Sequence, residues 1–364
     1  MRKYTFQKIL NIMLSSGKSD FICGLLVGVL IFSCGFAVAV EEAPAPKDWS
    51  SEMRTVHYPS PIDHSRQPAV VYIPEKTEAV PLLVTLHSWS GDYTQTAKAR
   101  AEWAIKHGWA LVAPNFRGPN NKPEACGSEL VVADIVAAVS YMQSRTNIDP
   151  ERIYLMGASG GGYGAMLLAG RHPEIWAGVS AWVGISDLRA WHAETTARKL
   201  KYAKDLEQSC GGPPGASPEV DEQYRLRSAN TWIARAIGVH LDINHGIHDG
   251  HVGSVPCSHS ITAFNLLAEP SKKISDADIQ YILVERKVPD SLKGERQNDP
   301  LYGNLTVLFR RVSGNARLTL FDGGHSGSDQ AALRWLSLQR KGKPADWSVA
   351  SPTEGTVQTS EVQK

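Results

Sequence analysis

Residues 153–170 restrict what this chain can fold into more than any other stretch. Ile153-Tyr154-Leu155-Met156 is an apolar run long enough for a buried strand and too short for a helix. Gly157-Ala158-Ser159-Gly160-Gly161 follows, and Tyr163 to Ala169 is apolar at helical density. A Gly-x-Ser-x-Gly between a strand and a helix predicts a sharp turn. Its serine takes unfavourable backbone angles, and its glycines let neighbouring chain approach without Cβ clashes. Ser159 is thereby read as a nucleophile projecting above a sheet, with the Gly160 amide aimed where an oxyanion would form. The bland alternative, a glycine-rich turn with a bystander serine, does not explain the flanking strand and helix.

The rest of the chain alternates in the same way. Ala69 to Ile73, Leu82 to Leu86, Trp109 to Ala113, Ala177 to Val183, Ile237 to Ile243 and Arg317 to Phe321 read as strands. Helices are predicted between them: one with Ala97, Ala101, Ala104 and Ile105 on one side and Gly108 as its stop, one capped by Ser128, one from about Ser260 to Leu267, and one starting at Ser328. Alternating strands and helices imply an α/β fold with a mainly parallel sheet covered on both faces. Residues 188–235 are too long for a plain connection and read as a partly helical, lid-like insertion over the sheet's edge. The domain reading is an address at 1–39, a linker and extension at 40–68, a catalytic domain at 69–340, and a polar, disordered tail at 341–364.

Sites in such sheets lie at the carboxyl ends of strands, which selects loops 87–92, 157–161, 184–187, 244–256 and 322–327. Ser159 needs a base, and His325 in a glycine-rich loop after the last strand is the predicted one. The imidazole needs a carboxylate to fix its tautomer. Asp249 gives the order Ser, Asp, His expected on this architecture, with Asp187 and Asp242 as competitors. The second oxyanion donor is expected from the loop after Leu86, Trp89 first and Ser88 second, with His87 bracing the loop. His240, His245, His248 and His251 crowd one segment, but their spacing fits no zinc pattern, so no metal and no cofactor is expected. Trp182, Trp191 and Trp232 are read either as pocket lining or as core.

The 38 Lys and Arg against 37 Asp and Glu, without basic blocks, give no reason to propose nucleic acid as a partner. Arg2, Lys3, Lys8 and Lys18 precede an uncharged run from Phe21 to Val40, and Ala37-Val38-Ala39 supplies a cleavage signal before Glu41-Glu42. Export with cleavage is the favoured reading, to the periplasm of a bacterium or its medium. The rivals are an uncleaved anchor, which would be the chain's one contact with membrane, and lipidation at Cys34. Beyond the address lie Cys126, Cys210 and Cys257; Cys126 with Cys210 is a guessed disulfide, against three unpaired thiols.

On these residues the chain resembles the prolyl-oligopeptidase-like branch of the α/β-hydrolases over roughly residues 69–340. The resemblance rests on Gly157-x-Ser159-x-Gly161-Gly162 with Tyr163, on Pro173-Glu174 with Trp176, and on Ile185-Ser186-Asp187-Leu188. It also rests on His245-Gly246-Ile247-His248-Asp249 with Val255-Pro256, where the family's gap before Val-Pro is shorter. It implies the α/β-hydrolase fold, a serine-hydrolase activity, Asp249 as acid and His325 as base. His87-Ser88-Trp89 departs from the family's usual His-Gly-Gly. True oligopeptidases carry a β-propeller before this domain, and only residues 40–68 precede the first strand read here. The expectation is therefore an exported ester hydrolase, for an acyl or feruloyl ester on a polysaccharide. Short-peptide cleavage is the second reading and a non-catalytic surface binding protein the third.

Overall fold

The computed structural model describes residues 42–293 and 298–349. The address expected at 1–39 and residues 350–364 of the expected tail lie outside them. Among the described residues no helix is long and apolar enough to cross a membrane.

The strands and longer helices run in chain order as β1 Ala43–Pro44, β2 Arg54–Pro59, β3 Arg66–Tyr72, β4 Val80–Leu86, α1 Lys98–His107, β5 Ala110–Pro114, α2 Glu129–Arg145, β6 Ile148–Ala158, α3 Gly160–Arg171 and β7 Gly178–Trp182. The insertion contributes α4 Leu188–Ala197, α5 Tyr202–Cys210 and α6 Pro218–Arg227. After it come β8 His240–Gly246, α7 Ser258–Leu267, α8 Asp276–Glu285, β9 Val307–Ser313, β10 Ala316–Phe321 and α9 Asp329–Leu338.

One sheet of ten strands has the order β1-β2-β3-β5-β4-β6-β7-β8-β10-β9. The six strands from β5 to β10 in that order are mutually parallel, and the outer pairings are antiparallel. β4 is buried at every position, as a strand with helices over both faces requires. Its side chains alternate accordingly: Leu82, Val84 and Leu86 enter one hydrophobic cluster and Leu83 enters the other. Local chemistry sets the helix ends. Ser128 Oγ accepts from the Val131 amide at 3.2 Å to start α2, and Gly108 in the left-handed region closes α1.

Four differences from the sequence reading have physical causes. The sheet begins before residue 69, because β1 and β2 pair antiparallel onto β3. β8 starts three residues later than expected: Ile237 is apolar yet 85% exposed, while the polar Asn244, His245 and Gly246 are buried in the strand. Residues 341–349 are not loose tail. The Asp346 carbonyl accepts from the Trp335 indole at 3.1 Å and Trp347 stacks on Trp335. Cys126, Cys210 and Cys257 are all free and buried, so the guessed disulfide is absent. Burial pushes the thiols of Cys126 and Cys257 up to about 11 and about 12.

Candidate active site

The sheet order brings distant loops together. β4 lies beside β6 with Leu86 opposite Gly157, so loop 87–92 and the turn at Ser159 leave the same rim of the sheet. β8 lies beside β10 with Gly246 opposite Phe321, so the loop carrying Asp249 runs along the loop carrying His325. The chain turns to opposite sides of β4 to form β5 and β6, the switch point at which such sheets open a crevice.

Ser159 has φ 58° and ψ −120°, a conformation that costs a residue with a Cβ about 1–3 kcal/mol and that the surroundings must impose. The Ser159 amide donates to Trp182 O at 2.9 Å, and its carbonyl accepts from the Tyr163 amide at 2.9 Å. Gly160 opens α3, so its amide has no acceptor within the helix. It is glycine by necessity, because a Cβ there would overlap the backbone nitrogen of Trp89.

Two amides competed for the second donor in the sequence reading. Ser88 N–H donates to Gln95 Oε1 at 2.9 Å. The Trp89 amide has no acceptor among the described residues, while its carbonyl is held by the Asn120 amide at 2.9 Å. Trp89 therefore lies against Gly160 with a free N–H. The Trp89 side chain is clamped by the insertion: its indole donates to Asp205 Oδ2 at 3.1 Å, and its ring meets Trp191 edge-on at 4.6 Å. His87 stacks on Phe116 and reaches Asn115 O at 2.9 Å and Ser88 O at 2.8 Å, bracing the loop.

His325 Nδ1 lies 2.5 Å from Asp249 Oδ2. The other carboxylate oxygen accepts from the amides of Gly250 at 2.8 Å and Val255 at 3.1 Å. The sequence reading missed a second imidazole here. His245, wholly buried, points Nε2 at both Val255 O (3.0 Å) and Asp249 Oδ2 (3.2 Å), and Ser260 Oγ lies 2.6 Å from its Nδ1. Two acceptors on Nε2 make that nitrogen the protonated one. The signal was present as the i, i+4 spacing of His245 and Asp249. Gly253 closes the arrangement, since a Cβ there would overlap Asp249 Oδ1 and come within 2.6 Å of His325 Cβ.

Burial pushes the Asp249 carboxyl up, but hydrogen bonds from His245 and His325 outweigh it and hold the group well below the usual carboxylate range. A depressed folded-state value adds stability that is present above the ordinary value of 3.8 and lost as pH falls below it. Asp249→Asn should therefore flatten the decline of melting temperature between about pH 5 and about pH 2. An unchanged acid slope in thermal melts would contradict this.

Ser159 and His325 line one cleft of about 1040 Å³ together with Trp89, Gln95, Tyr202 and Gly253. No hydrogen bond joins their side chains, a common state of a site without substrate. The competitors of Asp249 are engaged elsewhere. Asp187 caps α4 by accepting from the Arg189 and Ala190 amides, and Asp242 pairs with Arg317 at 2.7 Å inside the sheet. The four crowded histidines diverge: His240 faces Lys343 O, His248 faces Asp322 and His251 faces Leu283 O. Of the three tryptophans, Trp191 packs beside the cleft, whereas Trp182 lies in the core with Tyr302 and Phe321. Arg171 and Arg235 both lie over the Trp232 ring, 4.5 and 4.7 Å from its centre. The insertion covers the carboxyl rim of the sheet rather than its edge, since the Trp191 indole donates to Ser254 O at 2.9 Å and Tyr202 enters the cleft wall.

A mostly parallel sheet with helices on both faces and a strained serine at the strand–helix turn define a serine hydrolase with the α/β-hydrolase fold. The model of the prolyl oligopeptidase family matches residues 95–283, just over half of the chain. The chain belongs to that family. It is 26% identical over 277 residues to "Uncharacterized protein YfhR" of Salmonella typhimurium, covering 68% of this chain and 86% of that protein. It is 26% identical over 193 residues to "Feruloyl esterase B" of Neurospora crassa, covering 50% of this chain and 63% of that one. Among solved structures it matches an acylaminoacyl peptidase of Pyrococcus horikoshii, with 20% identity and a TM-score of 0.49 over 59% of this chain. It spans 34% of that peptidase's length.

Proposed function

We propose that this chain hydrolyses carboxylic esters through Ser159, His325 and Asp249, by way of an acyl-enzyme. The observation that carries this reading is the 2.5 Å pair between His325 Nδ1 and Asp249, on an imidazole that shares its cleft with Ser159. In this scheme Ser159 Oγ attacks the acyl carbon while its proton passes to His325 Nε2. The Gly160 and Trp89 amides receive the oxyanion, a contribution of about 3–4 kcal/mol per donor in comparable sites. Collapse breaks the bond to the leaving alcohol, which takes the proton from His325. Water then repeats the steps on the acyl-enzyme and restores Ser159. His245 and Asp249 keep the base in one tautomer.

The ester preference is supported by the similarity to the feruloyl esterase, and the cleft of about 1040 Å³ has volume for an aromatic or sugar-borne acyl group. The second reading, a serine-type peptidase for short peptides, has the family match behind it. A hydrolysis screen of acetylated and feruloylated oligosaccharides beside a chromogenic prolyl peptide, with Ser159→Ala as control, separates them. Peptide turnover without ester turnover would reverse the order. We also propose export, on the basic n-region and Ala37-Val38-Ala39. Amino-terminal sequencing of the mature protein should then begin at Val40, and an intact Met1 would refute cleavage.

A further inference from the structure

One group in the cleft has a chemistry that the hydrolytic scheme does not use. Arg198 follows α4 and lines the same cleft as Ser159 and His325. It is exposed, and its guanidinium has no hydrogen-bond or ion-pair partner among the described residues. Asp92 is the carboxylate that lines the same cleft, and no ion pair joins it to Arg198 among the described residues. Asp92 accepts from the Thr94 amide at 2.8 Å and from its hydroxyl at 2.5 Å. Asp205 faces the Trp89 indole and Asp249 faces His325. The charge is reinforced along the chain by Lys199, Lys201 and Lys204; Lys201 Nζ donates to Ser90 Oγ at 2.8 Å and lies 5.6 Å from the Tyr202 ring centre. The bend is fixed in place: the amides of Lys199 and Leu200 donate to Thr196 O and Thr195 O at 3.0 and 2.9 Å, and Leu200 lines the cleft beside Arg198.

An unpaired guanidinium beside a reacting centre suits a carboxylate, which it can grip with two parallel hydrogen bonds. We propose that Arg198 forms a carboxylate-binding subsite, so that the preferred substrates carry a carboxylate within reach of the acyl group being cleaved. The proposal rests on the hydrolase reading above and names the substrate class for that site. The carboxylate could belong to the acyl part or to the leaving alcohol, and two matched substrate pairs distinguish these. One pair is p-nitrophenyl hexanoate against p-nitrophenyl hydrogen adipate. The other is phenyl acetate against p-acetoxybenzoate.

In one pair the anionic member should exceed its neutral partner in kcat/KM by about tenfold, with the difference lying in KM. Arg198→Ala should remove that preference, Arg198→Lys retain part of it and Arg198→Glu invert it, each leaving kcat on the neutral ester within about twofold of wild type. Raising salt from about 0.05 to about 0.5 M should shrink the preference in the wild type alone. No anionic preference in either pair, or a preference that survives Arg198→Ala, overturns the proposal while Ser159-dependent turnover of the neutral ester leaves the hydrolase reading standing. If no ester is turned over, calorimetric binding of adipate and benzoate to the Ser159→Ala protein decides. Affinity that falls with Arg198→Ala keeps the subsite, and affinity indifferent to it ends the proposal.

Discussion

Ser159→Ala, His325→Ala and the variant carrying both are expected to lose ester turnover to one common depth, about 10⁶-fold in kcat. The reason is that the hydroxyl and the imidazole act on a single proton. With either removed, the other has nothing to exchange with, so the effects do not add. Both residues lie at the cleft, so thermal melts of Ser159→Ala should match the wild type closely, whereas the two proteins lacking His325 should melt lower, because the buried Asp249 carboxylate loses a hydrogen bond. Turnover of a p-nitrophenyl ester is the measurement. A His325→Ala protein that keeps a tenth of wild-type kcat would mean that the base is elsewhere. Asp249→Asn should fall short of the full loss, at about 10⁴-fold, because it leaves the nucleophile and base in place but removes the acceptor that sets the tautomer.

Gly160→Val is the second large effect. A Cβ at this position would overlap the Trp89 amide and press on its Cα and on the Ser88 carbonyl carbon. These are backbone atoms that cannot swing aside as a side chain would. The two amides are pushed apart, and kcat should drop by about 10²–10³-fold with KM little changed, the signature of a lost transition-state contact. Ser88→Ala makes the comparison, since that residue's amide faces Gln95 and its loss of side chain should leave kcat nearly untouched. Equal damage from both substitutions would mean that the Ser88 hydroxyl and its bond to Gln95, and not the spacing of the amides, set the rate.

How much of this was legible beforehand depends on how local the signal was. The turn at Ser159, the cap at Ser128 and the buried strand ending at Leu86 are written in a few consecutive residues and are found where the sequence puts them, and Ser328, read as the start of the last helix, is its cap. β9 was not legible, because Arg310 and Arg311 interrupt it. Arg310 is buried against Asp299 at 3.0 Å and Thr319 at 3.1 Å, partners outside its own strand. The displacement of β8 has the same origin: Asn244 and His245 look like loop residues until Tyr302, Ser260 and Asp249 are brought beside them. Within the site, Ser159, Gly160, Asp249 and His325 could be picked from motif and order. The hold of Asp205 on Trp89 could not, since 116 residues separate the two.

That hold carries a consequence for anyone wishing to retune this scaffold. In a hydrolase whose oxyanion loop is fixed by small residues alone, the insertion above the cleft could be exchanged as a cassette to alter selectivity while leaving the rate intact. Here the indole of Trp89, whose amide is the proposed second oxyanion donor, is held by Asp205 of the insertion, so swapping residues 188–235 is expected to change speed and preference together.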